Sequence, residues 1–143
     1  MAGQHFNKAL NLTEDVKDDR TRRDELAVLS ILFDQCGFPD LALTAAEESV
    51  DLDRRLGLDE LIHGDLLNVG TAHLNLDNDA KADACFREAL ALALARGDWA
   101  NAASASTNLG NVLAKRGEMT KAIMLLQVSE IDRYDVDGRV RRH

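Results

Sequence analysis

The sequence predicts an all-α chain in which one helix pair is repeated, and three observations carry that prediction. Of 143 residues, 45% are apolar but only 4% aromatic, with a single proline. Such a composition favours helix over strand. No six-residue stretch alternates apolar and polar side chains with β-branched enrichment, whereas helical spacing recurs, as in Leu26, Leu29, Phe33 and in Leu66, Val69, Gly70, His73. Finally, sliding the chain by 40 residues lays small residues on small ones and large apolar residues on large ones. Leu29 meets Val69 and Leu109, Ser30 meets Gly70 and Gly110, and Ala42 meets Ala82 and Ala122. Gly37 likewise meets Gly117, Ala46 meets Phe86 and Leu126, and Ser49 meets Ala89 and Ser129.

The elements follow in order. Phe6-Asn7-Lys8-Ala9-Leu10-Asn11-Leu12 lies 80 residues before Phe86-Arg87-Glu88-Ala89-Leu90-Ala91-Leu92. The chain is therefore expected to open on a second helix, a half repeat over 3–17. A first helix over 22–36 ends at Gly37, which suits a left-handed turn. Pro39 suits the first turn of the next helix, 39–56. The second unit places helices over 59–76 and 79–96. The third places them over 99–116, with Asp98 as N-cap, and over 119–133 after Gly117. Seven helices result, in repeats over about 22–56, 59–96 and 99–133, within one domain of residues 1–133. Residues 134–143 read as a tail. The recurring small residues would let paired helices approach closely.

These residues resemble the tetratricopeptide repeat. The resemblance rests on Leu66-x-x-Val69-Gly70-x-x-His73 with Ala82, Phe86 and Ala89, and on Asn108-Leu109-Gly110-Asn111-Val112-Leu113 with Gly117, Ala122 and Leu126. The 40-residue period is longer than the common 34-residue repeat. It is similar to the longer-helix branch of kinesin light chains and of the spindle-orientation adaptors that bind heterotrimeric G proteins. The resemblance implies an α-solenoid of about 3.5 repeats, a non-catalytic protein-interaction module, with first helices lining a concave groove. Counting helical turns then puts Leu67, Asn68, Thr71 and Leu74 of the second unit and Asn108, Asn111 and Lys115 of the third on that groove. Apolar groups there would supply affinity. The amides would pair with the backbone of a partner segment. The alternative for Asn68 and Asn108 is that they satisfy neighbouring helix ends or face water.

Other chemistry finds little support. The groove holds only Lys115 as a cation, too few to grip a dicarboxylate. His63 and His73 lack the i, i+4 spacing of a ligand pair, and His73 falls in a core column with Phe33 and Leu113. Asp77, Asp79, Asp83 and Glu88 echo a calcium loop, but Lys81 and Ala82 stand where it needs an oxygen ligand and a glycine. Neither metal nor cofactor is expected, and no catalytic residue. Cys36 and Cys85 are expected to be small buried hydrophobes, and Trp99 a packing staple at a unit junction.

Acidic residues outnumber basic ones 25 to 17, a formal charge of −8, which disfavours nucleic acid and anionic membranes. No apolar run approaches the roughly 20 residues that span a bilayer. Met1-Ala2-Gly3-Gln4-His5 leads into no signal-type segment. Two cysteines make no disulfide framework, so a cytoplasmic location is expected. The expected partner is a protein or peptide. The second possibility is a homo-oligomer: a repeat array needs polar caps at its ends, and none is evident here. On that alternative the chain is a structural or regulatory module that self-associates through its uncapped ends.

Overall fold

The computed structural model describes residues 18–131, with side chains described through Leu125. Six helices follow one another: α1 Asp19–Gln35, α2 Pro39–Leu56, α3 Asp59–Asn75, α4 Asp79–Ala95, α5 Trp99–Lys115 and α6 Met119–Ile131. There is no strand among the described residues. The helix expected over 3–17, the seventh of the sequence analysis, lies outside them.

Local chemistry sets the boundaries. The first helix begins three residues earlier than expected because Asp18 caps it, accepting from Arg20 N at 3.0 Å and from Thr21 Oγ1 at 2.7 Å. Asp98 caps α5, accepting from Asn101 N at 3.2 Å. Pro39 occupies the first position of α2. After α1, α3 and α5 the chain reverses through one residue with positive φ: Gly37 at 82°, Asp77 at 60° and Gly117 at 81°. These three stand 40 residues apart, so Asp77 fills a glycine column in a conformation that aspartate tolerates better than most residues.

Each helix packs on the next, and the turns of two or three residues make neighbours antiparallel. Beyond that, α1 touches α3 and α3 touches α5. Among the described residues the backbones of α2 and α4 stay apart, as do those of α4 and α6, and α2 reaches α4 through the Arg54–Glu88 ion pair at 2.7 Å. Helices of the first kind are thus crowded together while those of the second kind splay apart. The array bends with α1, α3 and α5 on its inner side.

The core runs along the array as clusters of buried residues bridged by half-buried Leu43, Leu67 and Leu90. One cluster joins Ala46 and Val50 of α2 to Ile62, Leu66 and Val69 of α3, Ala89 of α4 and Ala105 of α5. Small residues allow this, and Gly70 shows the limit: a Cβ added there would collide with the Phe86 ring. In the first unit the equivalent columns hold Ser30 and Ala46, both buried. A bulkier first helix there faces a second helix that has lost its ring.

Candidate partner-binding groove

The inner face is built from half-buried and exposed residues of α1, α3 and α5, of which Leu67 and Leu74 also pack against the core. Leu67, Asn68, Thr71 and Leu74 are half-buried along α3, Asn108 is half-buried on α5, and Asn111 and Lys115 are exposed. On α1 the same columns hold Val28, 56% exposed, and Ile31, also exposed. The floor thus passes from aliphatic on α1 to amide-rich on α3 and α5.

Hydrogen bonding divides these residues. No side-chain hydrogen bond engages Asn68, Asn108 or Asn111 among the described residues, so their amides keep both donor and acceptor capacity. Thr71 returns its hydroxyl to Leu67 O at 2.9 Å. Asn75 donates to Asp34 Oδ1 at 2.5 Å, tying α3 to α1. Lys115 donates to Asp77 Oδ1 at 3.2 Å, in the turn of the preceding unit, and to Asp79 Oδ1 at 3.0 Å, at the start of α4. Those bonds, to Asp79 first and then Asp77, raise its pKa above the ordinary lysine value. Helical counting finds Lys115 on the groove but not these partners, which come from another unit.

Gly64 lies in the middle of α3, in the groove column that also holds Asp24 and Ser104. An added Cβ there would meet nothing within 4 Å. A helical glycine costs about 1 kcal/mol relative to alanine, and no contact within the fold requires this one.

Residues outside the groove have other employment. Asp77 and Asp79 bind Lys115, and Asp83 accepts from Arg87 at 2.5 Å and Arg116 at 3.2 Å. His73 is buried, as are its expected column-mates Phe33 and Leu113, and burial holds its pKa below the ordinary histidine value. Cys36 is a correction: α1 stops at Gln35, so the cysteine sits at the helix end and is exposed. Cys85 is half-buried, its thiol pushed up first by burial and then by Glu88 and Glu47. Trp99 opens α5 and is partly exposed. No described helix is long and apolar enough to cross a membrane.

One buried polar group carries no motif in the sequence. Arg23 of α1 donates through Nε to Asp53 Oδ1 of α2 at 2.6 Å, through Nη2 to Asp65 Oδ2 of α3, and through Nη1 to Asp24 Oδ1 at 2.9 Å. All but Asp24 are buried. Burial works against the charge of Arg23, but the bonds to Asp24, Asp65 and Asp53 outweigh it and raise its pKa. The available signal was a carboxylate in an alanine column, since Asp53 aligns with Ala93 and Asp65 with Ala105.

A helix pair repeated in a 40-residue register, with first helices on the inner face, is what known proteins are compared with. Residues 64–130 match the tetratricopeptide repeat. The crystal structure of BtubC (BKLC) from P. vanneervenii superposes with a TM-score of 0.76 at 19% identity, over 96% of this chain. The chain spans 57% of that protein's chain. Comparison with curated proteins gives no significant match. The fold is a tetratricopeptide-like α-solenoid. Repeats of this kind generally mediate protein–protein contacts and are typically non-catalytic scaffolds.

Proposed function

We propose that the chain is a protein-interaction module that holds an extended or helical segment of a partner against its concave face. The carrying observation is the set of unengaged amides on that face, Asn68, Asn108 and Asn111, beside half-buried Leu67 and Leu74. Amides with open donors and acceptors suit a peptide backbone, and the aliphatic side chains supply apolar contact. Lys115 marks one end of the groove, held by Asp77 and Asp79. Gly64 supports the same reading, because a helix without a side chain there lets a second backbone come close. A 40-residue period like that of the longer-helix repeats, as in kinesin light chains, supports the same reading. The charge of −8 favours a neutral or basic peptide over nucleic acid, in a cytoplasmic setting.

The test uses a displayed library of random peptides selected on the whole chain, and then affinities of the selected sequences. Replacing Asn68 and Asn108 by Ala should leave the fold intact and remove about 1–3 kcal/mol of binding. Equal affinity in the double variant would refute the amide ladder.

A second reading, self-association, is favoured by Met119, Ile123 and Met124, all exposed on α6.

A further inference from the structure

The buried group around Arg23 has more acid than base. Nε and Nη2 are parallel donors on one edge of a guanidinium, a fork that ordinarily takes both oxygens of a single carboxylate. Here it takes one oxygen from Asp53 and one from Asp65, which brings two carboxyl groups from different helices side by side. Asp53 is fully buried, and its second oxygen, Oδ2, has no hydrogen-bond partner. Two buried carboxylates against one buried guanidinium leave an uncompensated negative charge, which a water-poor site does not tolerate.

One proton resolves both problems. If Asp65 carries it on the oxygen not bound to Arg23, that hydroxyl can donate to Asp53 Oδ2, and the buried charge sums to zero. We propose that Asp53 and Asp65 share one proton below neutral pH, and that its loss loosens the junction of α1, α2 and α3. The first helix pair is then joined to the second by a pH-sensitive latch.

The surroundings leave few rivals for that proton. From α1 come Arg23 and the more exposed Asp24, from α2 Asp53, from α3 Asp65. The α5 helix, which also touches α3, has no charged residue before Lys115. The α4 helix packs on α3 as well, but Glu88 is bound by Arg54, Asp83 by Arg87 and Asp79 by Lys115, while Lys81 is exposed. Consistent with the geometry, the Asp65 pKa rises from 3.8 to about 7, first through burial and then through the bond with Asp53, with Arg23 opposing. The folded chain thus keeps a proton that the unfolded chain releases. Stability from this group is complete below the unfolded value and declines as pH rises through the folded one.

The experiment is urea unfolding of the whole chain, wild type against Asp65→Asn, from about pH 5 to about pH 8. Asparagine keeps the hydrogen-bonding shape of the protonated acid but cannot lose a proton. The wild-type unfolding constant should rise relative to the variant by up to about tenfold per pH unit toward neutrality, then level off. The rest of the chain is common to both proteins, so its pH dependence divides out of the ratio. Parallel profiles would overturn the proposal. Carbon-13 NMR of aspartate carboxyls in the wild type gives an independent reading if the variant fails to fold. One carboxyl titrating near neutrality supports the latch, and all titrating in the ordinary acidic range refutes it.

Discussion

At the scale of single residues, two glycines of one helix make opposite predictions. Gly64 and Gly70 both lie in α3, and both cost helix stability. Gly70 is required, because the Phe86 ring occupies the place of its Cβ, whereas space around Gly64 is open. Gly64→Ala should therefore stabilise the chain by about 0.5–1 kcal/mol, while Gly70→Ala should destabilise it by about 1–3 kcal/mol. Thermal unfolding of the two variants measures both signs. Peptides selected on the wild type should bind Gly64→Ala less well despite its greater stability, since the new methyl group intrudes on the groove. Stabilisation with unchanged affinity would leave Gly64 without a role in binding.

At the scale of elements, the same three-helix junction occurs twice with different chemistry. Between α1, α2 and α3 it holds Arg23, Asp53 and Asp65, and between α3, α4 and α5 the equivalent columns hold His63, Ala93 and Ala105, all buried. The second version works without an ion network, so the charged one is not required for helix packing. Removing one partner is a different matter, because it strands a buried charge. Arg23→Ala alone should cost about 3–5 kcal/mol. The combination Arg23→His, Asp53→Ala and Asp65→Ala, which copies the second junction, should unfold in urea with a far smaller loss than the sum of the three single changes. Additive losses would show that the two junctions are not interchangeable. This contrast also explains what was legible in the sequence. Columns of like size revealed the repeat and most helix ends, since packing forces small residues to recur wherever helices cross closely. The groove residues followed from counting turns along each helix. What escaped were interactions that cross units or break a column: the triad, the hold of Asp77 and Asp79 on Lys115, and the Asp18 cap that lengthens α1. Cys36 is exposed rather than buried for a related reason, because a single residue at the end of α1 decides whether a side chain points inward.

At the scale of the molecule, exposed apolar surface and net charge pull in opposite directions. The outer part of α6 presents Ile123, 50% exposed, and Met124, 61% exposed, beside Met119. Clustered apolar groups of that size usually mark an interface. A second copy is one candidate to cover them, yet two copies of a chain with a charge of −8 repel each other at long range. Salt screens that repulsion over about 10 Å at 0.1 M and leaves apolar contact intact. If α6 mediates self-association, light scattering across a dilution series should show a mass that grows with protein concentration and grows further with added salt. Ile123→Glu combined with Met124→Glu should abolish the larger species without lowering helix content, because neither side chain is part of the buried core. Binding of a basic peptide in the groove should respond to salt with the opposite sign, weakening as charges are screened, so the two readings separate in one titration. A wild-type monomer at every concentration and salt would remove self-association through α6 and leave the concave groove as the working surface.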